Sequence, residues 1–153
     1  MSRNPEIGRL YSCSSACGKW GLSDLLSPNT LREAADRMKA AGNPGAIALM
    51  GTMQAVALFP GSTAFAAQKA ALVHAARILA KECRGPSNIR VNVVSPGVAE
   101  ASIASGKYDR FLKDGIVPRF GRAEDVARAV RFFLEPDNYV TGQVLAVDGG
   151  ATL

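Results

Sequence analysis

Gly45-Ala-Ile-Ala-Leu-Met-Gly-Thr52 and Ile89-Arg-Val-Asn-Val-Val-Ser-Pro-Gly97 are the two stretches that decide the fold. Ala46–Met50 is an unbroken apolar run between glycines, which predicts a strand buried on both faces. Ile89–Val94 carries the β-branched residues that suit a sheet interior, and Pro96-Gly97 closes it. Between the two, Ser62–Lys81 has helical periodicity, with Leu72, Ala75, Ala76, Leu79 and Cys83 on one apolar face. Ala64, Ala66, Ala67, Ala70 and Ala71 make that helix unusually smooth, a surface on which another helix can approach closely. Gly85-Pro86 ends it.

Outward from this core the pattern repeats. Toward the N-terminus, Ser27-Pro28-Asn29-Thr30 breaks the chain, and Thr30 with Glu33 has the spacing of a capping box. Leu31, Ala34, Ala35 and Met38 then fall on one helix face, Gly42 suits the left-handed residue that ends a helix, and Pro44 prevents its resumption. Toward the C-terminus, Ala99–Val117 is polar and aperiodic. Ala123–Leu134 predicts a third helix with Val126, Val130, Phe133 and Leu134 on one side. Val144–Val147 is the last strand, stopped by Asp148-Gly149-Gly150. Strands alternating with helices predict parallel strands joined by crossovers, an α/β fold. The first 26 residues are less regular: Arg9–Ser15 is a candidate further strand, and Cys13 and Cys17 are either a metal pair or, with one His in the chain, buried small residues.

The chain has 153 residues, 48% of them hydrophobic and 20% charged, which predicts one globular unit rather than a disordered or repetitive one. A divergent segment 1–26 precedes a single domain, 27–153. No apolar run reaches the ~18 residues of a membrane helix and no signal-peptide core is present, so neither membrane nor export is expected. Three cysteines do not make a disulfide framework, and a cytoplasmic location is the expectation. The 18 Lys and Arg against 13 Asp and Glu leave +5, spread over several segments without interleaved aromatics. A solvated surface is expected, and no nucleic-acid partner.

Five stretches together resemble the C-terminal half of the short-chain dehydrogenase/reductase family: Gly45–Thr52, Phe65-Ala-Ala-Gln-Lys69-Ala-Ala-Leu72, Ile89–Gly97, Gly121-Arg-Ala-Glu-Asp-Val-Ala127 and Tyr139–Gly150. The resemblance implies a truncated, Rossmann-like doubly wound parallel sheet of three to four strands. It also implies NAD(P)-dependent chemistry built on a Tyr acid/base, a Lys four residues later, a Ser thirteen residues earlier and an Asn on the preceding helix. In this chain those positions hold Phe65, Lys69, Thr52 and Leu25, so Lys69 alone is retained. A phenyl ring has no proton to give, and the acid/base step it replaces contributes roughly 10²–10⁴-fold in rate. Pro96 and Gly97 persist from the cofactor side, but Ala101 replaces the Thr that caps the nicotinamide amide. No G-x-G-x-x-G or T-G-x-x-x-G-x-G occurs anywhere in the sequence, so the pyrophosphate cradle is missing. No cofactor is expected to bind this chain independently.

The resemblance implies that Thr30–Ala41 and Ser62–Arg84 form the helix pair of one family interface and Ala123–Leu153 the other. The retained features are those that build sheet and oligomer. Two right-handed crossovers in one direction should also place both connecting helices on one sheet face, leaving the other for a partner chain. The expected function is a non-catalytic subunit assembling with an active family member that supplies NAD(P) and the Tyr, with Ala99–Val117 matching the family's substrate loop. Two alternatives stand beside it: a divergent NAD(P)-dependent oxidoreductase using Thr52 and Lys69, and a truncated fragment with no function.

Overall fold

A computed structural model describes residues 28–42, 44–100 and 115–153. The chain order is α1 (Pro28–Ala40), β1 (Gly45–Met50), a single 3-10 turn (Met53–Ala55), α2 (Thr63–Glu82), β2 (Ile89–Pro96), α3 (Ala123–Leu134) and β3 (Val144–Val147). The strands form one parallel sheet in the order β1-β2-β3, with Ile47 opposite Val91, Leu49 opposite Val93 and Val94 opposite Leu145. This is the α/β architecture expected from the alternation of periods. The candidate strand Arg9–Ser15, the cysteines Cys13 and Cys17, and most of the Ala99–Val117 segment lie outside the described residues.

Helix α1 begins at Pro28, so Thr30 lies inside its first turn instead of capping it. Proline suits that first position because its φ is preset and its missing N–H would have had no partner. Glu33 is therefore free to pair with Arg37 one turn on, at 2.5 Å. Gly42 ends the helix at φ 66°, with its N–H donating to the Lys39 carbonyl. Leu31 and Ala35 are buried beneath it.

One face of the sheet is covered by α1 and α2. Leu31, Ala35, Leu72, Ala76, Leu79 and Cys83 meet Ile47, Leu49, Ile89, Val91 and Val93 in a single core. Each fully buried aliphatic side chain in such a core contributes roughly 1.5–3 kcal/mol. Burial pushes the Cys83 thiol pKa upward, which makes it an inert packing residue.

The opposite face is covered by α3. Val94, Ala129 and Phe133 are buried there, with Ala48, Met50, Val126, Val130 and Val147 packed against them. The expectation that both crossover helices share one face is therefore wrong. Its premise is that both crossovers take the hand that about 98% of such connections share; with α2 and α3 on opposite faces, the two crossovers differ in hand. Here the β2–β3 connection is long and turns first through a parallel bridge, Ala99 to Gly121, before α3 starts. The chain thus covers both faces itself. What it leaves half-bare is β3, where Val144 and Leu145 are 36% and 38% exposed.

Strand β2 is buried through Ser95, including three polar residues. The Arg90 guanidinium donates to the Phe133 carbonyl at 2.8 Å and the Glu135 carbonyl at 2.7 Å, closing the C-terminus of α3. Cations suit that end of a helix because its last carbonyls lack partners. Asn92 donates to the Val140 carbonyl and accepts from the Gln143 N–H, while the Thr141 hydroxyl accepts from the Val91 N–H. These bonds hold the 138–143 loop along β2 and set the start of β3.

Candidate functional site

In an open parallel sheet, ligand chemistry collects beyond the carboxyl ends of the strands. Thr52, Phe65, Lys69, Pro96 and Gly97 all gather there, because β1 pairs with β2 up to its last residue, Met50 opposite Val94, and β2 runs only two residues further to Pro96. Leu25 lies outside the described residues.

Thr52 follows β1 at once and caps the 3-10 turn, its hydroxyl accepting from the Gln54 N–H at 3.3 Å. Phe65 sits in the first turn of α2 and is half-exposed. Lys69 stands one helical turn later, so its ammonium reaches back over the Phe65 ring, 5.9 Å from the centroid. The same ammonium donates to the Met50 carbonyl at 3.2 Å. Neither the threonine hydroxyl nor the lysine ammonium meets an ionisable partner at position 65. Both are engaged with backbone.

The turn after β2 is built by close approach. Gly97 donates to the Val147 carbonyl at 3.0 Å, and a Cβ on it would lie 2.7 Å from Asp148. Any side chain there would push the C-terminal turn off the sheet. Behind β1, Gly51 does the same for Ser95: a Cβ at 51 would meet the Ser95 hydroxyl at 2.6 Å. Ser95 is buried, and its hydroxyl has no protein partner among the described residues. Sequence reasoning passed over Ser95; a hydroxyl ending an apolar strand was the available signal.

Beyond β3 lies an open cleft of about 510 Å³, lined by Ile116, Val117, Arg119, Arg128 and the Asp148–Gly150 turn. Its floor is fixed by the Val117 N–H donating to the Gly149 carbonyl. Asp125 is the hub of its rim. It receives Arg119 at 2.6 Å, the Arg122 backbone N–H at 2.8 Å, and Arg128. Hydrogen bonds from Arg119 first, then from the Arg122 N–H, hold the Asp125 carboxyl well below the usual carboxylate range. Arg119 and Arg128 share the one Asp125 carboxylate, which offsets only one of their two charges.

A dinucleotide needs a glycine-rich cradle for its pyrophosphate, and the family pattern noted above implies a phenol and an ammonium beside its nicotinamide ribose. The described residues offer Lys69 alone for the second, already bonded to Met50, and the sequence holds no motif for the first. The residues present do not fit the whole group.

A family model described as enoyl-(acyl carrier protein) reductase matches residues 24–152. The chain belongs to the short-chain dehydrogenase/reductase family. It is 37% identical over 132 residues to a human 3-oxoacyl-[acyl-carrier-protein] reductase, covering 86% of this chain and 55% of that one. A bovine protein of the same description is 42% identical over 110 residues, covering 71% of this chain and 46% of that one. Among solved structures, a tyrosine-to-phenylalanine variant of ElxO with NADPH bound superposes with a TM-score of 0.69. That likeness carries 29% identity and covers 79% of this chain and 51% of the other. The chain spans about half the length of the curated relatives it matches. No helix among the described residues is long and apolar enough to cross a membrane.

Proposed function

We propose that this chain is a non-catalytic member of the short-chain dehydrogenase/reductase family that assembles with an active one. The observation that carries the reading is the Phe65–Lys69–Met50 arrangement. The position of the family's acid/base is a hydrocarbon, and the ammonium that should tune it serves a backbone carbonyl. The partner binds NAD(P) and supplies the phenol. By likeness to the 3-oxoacyl-[acyl-carrier-protein] reductases, it acts on a carbonyl beside a thioester.

Surface chemistry supports the assembly. On α2 the side turned from the sheet presents Ala64, Ala67, Ala71 and Ile78, all exposed. Small residues at this spacing let a second helix approach to the short end of the ~8–10 Å range. At the other end of the sheet, Phe132, Val144 and Leu145 are exposed apolar side chains around α3 and β3.

The test is co-expression of the tagged chain with a full-length reductase that keeps the Tyr, the Lys and the glycine motif, followed by mass measurement of the purified species. A stoichiometric hetero-oligomer, dissolved by Ala67→Glu with Ala71→Glu, is expected. A monodisperse monomer that leaves every such reductase unbound overturns the reading. The rival, an enzyme working alone through Thr52 and Lys69, requires saturable NADPH binding by the isolated chain. The ElxO variant holds NADPH without its tyrosine hydroxyl, so Phe65 alone does not decide that titration; the missing cradle does.

A further inference from the structure

The outward face of α2 has two unlike halves. Residues three and four apart share a helix face, and Ala67, Ala71, His74, Ile78 and Lys81 follow that spacing, all exposed. The first half is small and uncharged, with Thr63, Ala64, Ala67 and Ala71 exposed. The second half is cationic: Arg77 and Lys81 stand one turn apart, both exposed. Neither has a carboxylate partner among the described residues. α1 treats its cations differently, pairing Arg32 with Glu82 at 3.5 Å, Arg37 with Glu33, and Lys39 with Asp36 at 3.7 Å. Glu82 is the one acid of α2, and α1 takes it. Like charges four residues apart weaken an isolated helix. Arg77 and Lys81 therefore cost α2 stability until an acid from elsewhere meets them.

We propose that Arg77 and Lys81 select the partner subunit, receiving two carboxylates one turn apart at the start of a helix that lies antiparallel on α2. The pairing rests on the assembly proposed above and adds which chain that assembly accepts. A second copy of this chain does not supply the acids. Antiparallel on itself, the cationic half of one α2 lies over Thr63, Ala64 and Ala67 of the other, which carry no charge. Parallel, cations meet cations, and the Glu82 at that end is held by Arg32. An unlike helix can supply them. The rise from residue 77 to residue 81 is ~6 Å, which acids at i and i+3 or i+4 match. Such acids are favoured at the N-terminus of their own helix, where the backbone dipole is positive. An antiparallel helix brings that end to the C-terminal half of α2. The alanines then permit the close approach. The cations decide which chain makes it, because like or unpaired charges across an interface are penalised.

Calorimetric titration of the full chain with a full-length reductase tests it. That reductase keeps the Tyr, the Lys and the glycine motif, and has two Asp or Glu in the first two turns of the helix matching α2. Arg77→Glu with Lys81→Glu should weaken the complex at least ~100-fold, and raising NaCl from about 0.05 to about 0.5 M at least ~10-fold. The same reductase with those acids changed to Lys should bind the doubly substituted chain within about 10-fold of the native pair. A misfolded variant cannot show that recovery. The chain alone should self-associate at least ~100-fold more weakly than it binds the reductase. An affinity unmoved by the double substitution overturns this selection, as does a charge swap that restores nothing, or self-association as tight as the mixed complex. Those results leave the assembly itself standing. If the native chain binds no such reductase, the assembly fails and the selection with it.

Discussion

The polar residues along β2 and those at the carboxyl edge of the sheet have had opposite fates. Arg90, Asn92 and Thr141 each bridge two elements, and each finds its partners at ordinary hydrogen-bond distances. At the carboxyl edge, Thr52 and Lys69 bond to nearby backbone, Phe65 has nothing to offer, and the Ser95 hydroxyl is buried without a protein partner. Groups that hold the fold are satisfied. The groups at the carboxyl edge that bond at all do so locally. The difference separates polar groups that tie distant elements together from those that serve the nearest backbone.

Substitution at matched polar positions can break that contrast. Arg90→Met strands the buried Phe133 carbonyl and the half-buried Glu135 carbonyl at the end of α3 and should cost about 3 kcal/mol in urea unfolding. Lys69→Met loses one half-buried bond and should cost about 1 kcal/mol or less. Equal losses would erase the distinction between the two regions.

Gly51→Ala drives a methyl into the Ser95 hydroxyl and the Val93 side chain, 2.6 and 2.9 Å away, at roughly 1–3 kcal/mol. Ser95→Ala removes a hydroxyl that bonds to no protein group, so by itself it should be neutral within about 0.5 kcal/mol or stabilising. Combined with Gly51→Ala it should recover part of the loss. A large cost for Ser95→Ala would show that the hydroxyl has a partner and that the carboxyl edge is better satisfied than described.

The smallest effect concerns Asp125. Its folded-state pKa lies below the ordinary 3.8, so its contribution to stability is present above that value and is lost as pH falls through the lower folded one. Unfolding midpoints of the native chain and Asp125→Asn should differ most near neutrality and converge in acid. A gap that widens on acidification contradicts the hub arrangement.

Much of this was legible in the residues. Leu72, Ala76 and Leu79 at helical spacing, and the β-branched run from Ile89, identify α2 and β2 without help. That the family's tyrosine position holds no ionisable group is read from one residue, because a phenyl ring at 65 has no acidic proton wherever it is placed. Other features were not legible. A charged Arg90 inside an apolar run gives no sign that it closes a helix 43 residues away, since the partners are backbone carbonyls, which any sequence supplies. The side of the sheet taken by α3 was misread because the β2–β3 connection departs from the hand that most crossovers share, and nothing in its residues marks the exception. The engagement of Lys69 with Met50 depends on the strand ending one turn's reach from α2, a distance that only folding sets.

The most direct measurement is the mass of this chain co-purified with a full-length, catalytically intact short-chain reductase, beside NADPH titrations of the chain alone and of the complex. The account predicts a hetero-oligomer in which cofactor binds at one site per active subunit, and no saturable binding to the isolated chain. A monomer that binds NADPH by itself and turns over a carbonyl substrate, with both properties lost in Lys69→Ala, would contradict it.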